Sequence, residues 1–171
     1  MFRLLYAKRL IMYQNEIEMY PEIIQWLMTD LQQQFGKKAV KIQVLDTHYS
    51  DLSNFIMQLN YQKFFPEFTT FQIRQDITGF IEYSDKVDLV FVECKNTALS
   101  LINLSQLIGY SSIALPIYSI LISPKGMGST LMKLLKTYNR RDVLEFKPKR
   151  FIQIIKWDFS KKDIDHMNSI L

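Results

Sequence analysis

Two segments rich in β-branched and aromatic residues, joined by a short turn, constrain the fold of this chain more than any other feature. They are TTFQIRQDITGFIEY over residues 69–83 and KVDLVFVECK over residues 86–95. Residues of these types favour strands. Ser84 and Asp85, which lie between the segments, are typical turn residues. The pattern predicts a β-hairpin at the centre of the chain, with Ser84 and Asp85 as a two-residue turn.

Helices and strands are predicted on both sides of this hairpin. Before it come a helix over residues 15–35 that ends at Gly36, a strand within KKAVKIQVLDTHY (37–49), and a helix from about residue 51 to Pro66. After it come a helix over about 97–114, the strand IYSILIS (117–123), a helix over about 129–138, and the strand FIQIIKWD (151–158). This order predicts an α/β protein with a mixed central β-sheet, a β-hairpin core and flanking α-helices.

The length and the cysteine content limit what else this chain can be. A chain of 171 residues suits one domain. The single cysteine, Cys94, excludes an intramolecular disulfide framework and a multi-cysteine metal site. No apolar run reaches the roughly 18 residues that cross a bilayer. Residues 1–13 carry Arg3, Lys8 and Arg9 and lack a small-residue cleavage site, so we expect a cytoplasmic protein without a signal peptide or a membrane partner.

Positive charge is concentrated in the last third of the chain. Residues 1–120 carry a net charge of −2, whereas residues 121–171 carry +6. A basic surface on a slightly acidic body favours a polyanion such as nucleic acid, and a solvated charged face is an equally good interpretation. The basic residues that we expect to contact phosphates are Lys125, Arg140, Arg141, Lys147, Lys149 and Arg150.

A carboxylate and an amine end the second strand of the predicted hairpin. Because strand side chains alternate between faces, Glu93 and Lys95 share a face while Cys94 points away from it. Charged groups at the end of an apolar strand are costly unless they pair or meet water, metal or substrate. For these two residues alone, a surface salt bridge is the simpler interpretation.

The predicted hairpin register adds Asp76 to this pair. A two-residue turn places Asp76 directly opposite Glu93 and on the same face. Two carboxylates at that spacing repel each other unless a cation or a shared proton lies between them. Paired carboxylates are ligands that suit Mg²⁺. Asp88 competes with Asp76 for this role only if a bulge near Gly79 shifts the register.

Other polar residues are candidates because of where they fall along the helices. Glu16 lies in register with the apolar stripe of the first helix, where it either caps the helix start or reaches into a site. Gln106 and Tyr110 lie four residues apart on one face of the helix that follows Lys95, a spacing also typical of half-buried polar positions. The two histidines, His48 and His166, have no partner motif, and we interpret them as ordinary polar residues.

In their order along the chain, these residues resemble the PD-(D/E)XK nuclease superfamily, most closely its RecB-like and archaeal Holliday-junction-resolvase-like branches. Gln75 stands where the motif name has proline. Because the motifs are short, the resemblance depends on their order rather than on any single match. It implies a restriction-endonuclease-like fold over a single domain of residues 1–171, with a motif core of about 15–125 and a basic C-terminal extension of about 126–171. The positions that carry the resemblance are Glu16, Asp76, Glu93-Cys94-Lys95 and Gln106-x-x-x-Tyr110.

The resemblance also implies an activity, a Mg²⁺-dependent deoxyribonuclease of endonuclease type, with Mn²⁺ as a substitute cofactor. Lys95 would orient or activate the attacking water, and Gln106 and Tyr110 would position the nucleic-acid strand or Lys95. DNA is the expected partner, and RNA is the alternative substrate. A homodimer would let two sites cut both strands. The alternative is an inactive nuclease-fold module that binds nucleic acid or a protein. The implied metal ligands are Asp76, Glu93, the backbone carbonyl of Cys94, and Glu16.

Overall fold

The computed structural model of the protein describes residues 13–171, so the predicted absence of a signal peptide in residues 1–12 lies outside the described residues. None of the helices in the described range combines the length and the hydrophobicity that crossing a bilayer requires. The helices and strands in chain order are α1 (Tyr20–Phe35), β1 (Lys41–Asp46), α2 (Leu52–Gln58), β2 (Ile77–Glu82), β3 (Val87–Cys94), α3 (Leu101–Ala114), β4 (Tyr118–Ser123), α4 (Ser129–Met132), β5 (Glu145–Lys147), β6 (Arg150–Asp158) and β7 (Asp163–Ile164).

The strands form one mixed seven-stranded sheet, as the sequence predicts for the fold class. Its order is β1-β2-β3-β4-β6-β5, and β7 pairs with β6. The pairs β1–β2 and β2–β3 are antiparallel, whereas β3, β4 and β6 run parallel to one another. The basic segment after residue 126 contributes three strands to this same sheet rather than standing apart from it.

The central hairpin has the predicted register. Ile77 pairs with Val92, and Glu82 pairs with Val87, which leaves Ser84 and Asp85 at the tip. Gly79 pairs with Val90 without a bulge, so the register shift that would favour Asp88 does not occur. Asp88 instead lies opposite Ile81 and accepts a 2.7 Å hydrogen bond from Lys86. The start of β2 and the end of β3 therefore meet at one end of the hairpin.

Alternation along β3 divides the core into two layers. Val90, Val92 and Cys94 face α1, whose buried stripe includes Ile23 and Leu27. Leu89 and Phe91 face the opposite layer, which α2, α3 and α4 cover. Every one of these strand residues is buried, because helices cover both faces of the sheet. The polar residues at the end of β3 thus emerge from an apolar strand.

Several predicted boundaries were wrong. The second helix ends at Gln58 instead of continuing to Pro66, because Asn60 adopts a left-handed backbone conformation (φ 60°) that breaks the helix. The helix predicted from about residue 97 begins at Leu101, where Ser100 and Asn103 form a reciprocal cap. The helix predicted over about 129–138 is α-helical only to Met132 and then continues as a π-helical turn.

Candidate active site

The ammonium group of Lys95 lies among three carboxylates at the hairpin end. Lys95 Nζ is 2.8 Å from Glu93 Oε1, 3.5 Å from Glu16 Oε2 and 4.0 Å from Asp76 Oδ2. Glu93 is 5% exposed, and the side chains of Asp76 and Lys95 are 14% and 17% exposed. Glu16, Asp76, Glu93 and Lys95, which the sequence predicts as site residues, therefore form one cluster.

Strand pairing places the members of this cluster. Asp76 comes directly before β2, and its carbonyl accepts a 2.9 Å hydrogen bond from the Thr47 amide. Lys95 follows β3 directly, and its amide donates to the carbonyl of Ile122 on β4, also at 2.9 Å. Because both backbones are bound to a neighbouring strand segment, the charged side chains project from a rigid edge rather than from a free loop.

Two hydrogen bonds orient the carboxylate of Asp76. Tyr20, the first residue of α1, donates its hydroxyl to Oδ1 at 2.5 Å, and the backbone amide of Cys94 donates to Oδ2 at 2.7 Å. Tyr20 was missed as a site residue, because helical periodicity assigns it only to the buried stripe of α1. No signal in the sequence shows that its hydroxyl reaches a residue 56 positions later in the chain.

Burial and mutual repulsion control the ionisation of the acids. Burial, and then the nearby Asp76 carboxylate, raise the pKa of Glu93 to about 7. Burial also raises the pKa of Asp76, against the hydrogen bonds from Tyr20 and Cys94 that favour its charged form. For Lys95, burial opposes the charged form, but Glu93 and the other carboxylates outweigh it, so its pKa is raised and the amine stays protonated.

The donor set fits a hard divalent cation in its chemistry. Three carboxylates face one ammonium group, which leaves excess negative charge, and a cation would relieve the repulsion that raises the pKa of Glu93. The carboxylates nevertheless point to the ammonium group of Lys95 rather than to a shared position for a metal ion. Among residues 13–171, no three His, Cys, Asp or Glu side chains are arranged to hold a metal ion. The thiol of Cys94 is buried on the α1 side, so only its backbone faces the cluster.

Glu16 lies at the helix start without capping it through its side chain. Its backbone carbonyl accepts from the amide of Met19, whereas Asn15 Oδ1 accepts from the amide of Glu18. The Glu16 carboxylate instead points to Lys95, with 36% of the side chain exposed. The capping interpretation therefore does not account for this side chain.

The structure does not bring Gln106 and Tyr110 into direct contact with the cluster. Gln106 is exposed on α3, and Tyr110 is half-buried against the apolar layer that α2, α3 and α4 cover. Neither side chain hydrogen-bonds to any of the four cluster residues within the described range. Their predicted positioning roles remain predictions.

The predicted phosphate-contacting residues fall at two ends of the sheet. Exposed Lys125 lies in the turn after β4, at the same end as Lys95. Arg150 begins β6 and donates to the carbonyls of Leu115 and Pro116. In the strand register, Arg150 is therefore level with Leu89. Leu89 precedes Lys95 by six residues, so Arg150 and Lys95 are about 20 Å apart along the strand direction.

The remaining basic residues accompany Arg150 or are already paired. Arg141 and Lys149 line the same cavity of about 380 Å³ as Arg150, and exposed Lys147 ends β5 beside it. Arg140 donates two hydrogen bonds of 2.8 Å to Asp142. Most of the predicted phosphate contacts are thus remote from the acidic cluster.

Comparisons with known proteins identified no relative of this chain. No protein-family model, no curated protein and no solved structure matches the chain.

Proposed function

We propose that the protein is a divalent-metal-dependent nuclease that hydrolyses phosphodiester bonds in DNA. One observation carries this proposal: Asp76 and Glu93 are opposite each other at the end of a buried hairpin, and Lys95 Nζ lies 2.8 Å from Glu93 and 4.0 Å from Asp76. A structural ion pair needs one acid, whereas three acids lie within 4.0 Å of the half-buried Lys95, and their mutual repulsion raises the energy of the folded state. Acids whose pKa is raised by burial and by neighbouring acids, as at Asp76 and Glu93, are typical of functional sites.

The proposed fold is restriction-endonuclease-like. A mixed sheet whose central hairpin leads into parallel strands, with helices on both faces, is compatible with it. Together with the order of Glu16, Asp76, Glu93 and Lys95 along the chain, this topology supports the assignment to the PD-(D/E)XK superfamily.

Each residue of the cluster has a proposed part in the reaction. The ligands proposed for Mg²⁺ or Mn²⁺ are Asp76, Glu93, the Cys94 carbonyl and Glu16. A bound cation of this kind supplies Lewis acidity and lowers the pKa of its water. Lys95 stays protonated, so its ammonium group orients the attacking water and offsets charge that develops on the phosphate. Tyr20 and the Cys94 amide keep the Asp76 carboxylate in one orientation.

Cleavage of labelled DNA tests the proposal. Single-stranded, duplex and four-way-junction DNA are each incubated with Mg²⁺, with Mn²⁺ or with EDTA. We expect metal-dependent cleavage by the wild type and none by Lys95→Ala. Lys86→Ala is the matched control, because Lys86 pairs with Asp88 at the other end of the hairpin, and it should cleave normally. Absence of cleavage of every substrate, or equal loss in both variants, would refute the proposal.

A nuclease-fold module without activity is the second candidate. It is favoured by the direct contact of Lys95 with Glu93 and by the distance between the acidic cluster and Arg150. Under this candidate, Asp76→Ala leaves DNA affinity nearly unchanged and no variant differs in cleavage. Under the nuclease proposal, the same variant binds DNA but no longer cuts it.

A further inference from the structure

An aspartate–histidine pair lies beside the acidic cluster and has no part in the function proposed above. Asp46 is the last residue of β1 and pairs with Ile77, the first residue of β2, so it lies next to the backbone of Asp76. Asp46 Oδ1 is 2.5 Å from His48 Nδ1 and also accepts from the His48 amide at 3.2 Å. These two contacts hold the imidazole ring in one orientation relative to β1.

Two aromatic rings pack against the same imidazole. The ring centroid of His48 is 5.6 Å from that of Tyr20 and 5.7 Å from that of Tyr49. Tyr49 in turn packs edge-on against the buried ring of Phe55, at 5.4 Å. His48 therefore connects the exposed ring of Tyr49, which packs on Phe55 of α2, with the ring of Tyr20.

Tyr20 is the only side chain among the described residues that hydrogen-bonds to Asp76. Its ring lies between His48 on one side and the Asp76 carboxylate at its hydroxyl end. A change in the tilt of this ring moves the hydroxyl, and the carboxylate is then held only through Oδ2 by the Cys94 amide. The orientation of Asp76 consequently depends on what packs against Tyr20.

We infer that Asp46 and His48 are positioning residues that hold the ring of Tyr20, and through its hydroxyl the Asp76 carboxylate, in the geometry the reaction needs. This inference rests on the proposed nuclease function for its kinetic consequence. Neither residue touches the reacting atoms in this arrangement. Their effect passes through the Tyr20 hydroxyl, so it disappears when that hydroxyl is removed.

A double-mutant cycle tests this dependence. His48→Ala and Asp46→Asn should each lower kcat about tenfold and leave the KM for DNA within about twofold, because the substrate contacts are intact. In a Tyr20→Phe background, adding His48→Ala should change kcat less than about twofold. His166→Ala is the matched control, since His166 is the other histidine of the chain and is exposed in a short turn near the C-terminus.

Three results would overturn the inference. The first is a full tenfold loss for His48→Ala in the Tyr20→Phe background, which would show that His48 acts without Tyr20. The second is a raised KM with unchanged kcat, which would assign His48 to DNA binding. The third is an equal loss in His166→Ala.

The same cycle can be measured when the protein cleaves no substrate. The proposed function then fails, but the unfolding equilibrium constants in urea still report the coupling between His48 and the Tyr20 hydroxyl. Non-additivity of at least about threefold in these constants supports the positioning role, and additivity refutes it. Failure of the inference and failure of the nuclease proposal are therefore distinguishable.

Discussion

Replacing Glu93 with glutamine should stabilise the protein at alkaline pH. Glu93 is 5% exposed and faces the Asp76 carboxylate, so its charged form is unfavourable in the folded state. Its pKa is about 7 in the folded protein, against 4.5 for an ordinary glutamate. The folded state therefore holds this proton over a pH range in which the unfolded chain has released it. The contribution of Glu93 to the free energy of unfolding consequently falls as pH rises from about 4.5 to 7, and it stays level above that range.

The size of the effect follows from this difference in pKa. At 1.36 kcal/mol for each pKa unit, the charge on Glu93 costs about 3 kcal/mol of folding free energy above pH 7. Burial of Glu93 and repulsion from Asp76 contribute to this cost, and the attraction of Lys95 reduces it. Glutamine has the shape of the protonated acid and carries no charge. We expect Glu93→Gln to match the wild type near pH 4.5 and to exceed its stability by up to about 3 kcal/mol at pH 8.

Urea unfolding at several pH values, with EDTA to remove divalent cations, measures this difference. Both proteins share every other titrating group, so subtracting one profile from the other reports Glu93 together with its effect on the titration of Asp76 and Lys95. Adding Mg²⁺ at pH 8 should then stabilise the wild type and not the variant, because a ligand of the folded state adds stability only where it binds. A difference between the two proteins that does not change with pH, or a lower stability of Glu93→Gln at pH 8, would show that the charge on Glu93 does not destabilise the folded state.

Two further substitutions probe the acidic cluster, and a third probes the positioning role predicted for Gln106. Lys95→Met should lower stability by about 3 kcal/mol at pH 8 and by less at pH 5, where the unpaired acids take up protons; urea unfolding at both pH values checks this. Tyr20→Phe should cost about 1–2 kcal/mol in the same assay, because Asp76 keeps only its hydrogen bond from Cys94. Gln106→Ala should leave stability within about 0.5 kcal/mol and raise the KM for DNA, so an unchanged KM would remove it from the site.

The hairpin and its acidic end could be predicted from the sequence for a simple physical reason. Alternation assigns each strand residue to a face, and a two-residue turn fixes which residues are opposite. Those two rules bring Asp76 to Glu93 before any coordinates are known, and the observed pairing of Ile77 with Val92 agrees with them. Local patterns are sufficient here because the two strands are adjacent in the chain.

Contacts between distant elements were beyond these local rules. The hydroxyl of Tyr20 reaches Asp76 only because of how α1 packs across the sheet, and helical periodicity does not determine that. The remoteness of Arg150 from the acids follows from β6 running parallel to β3, so that the start of one lies far from the end of the other. The short strands β5 and β7 were missed, since two or three residues carry no periodic pattern.

Binding of Mn²⁺, followed by electron paramagnetic resonance at pH 8, shows whether the acidic cluster is a metal site. We expect one Mn²⁺ site in the wild type that Mg²⁺ displaces, at least about tenfold weaker binding in Asp76→Asn, and unchanged binding in Asp88→Asn. Asp88 is the matched control because it is an acid of the same hairpin that pairs with Lys86, away from the cluster. Absence of binding by the wild type, or equal weakening in the two variants, would contradict the assignment of Asp76 and Glu93 as metal ligands.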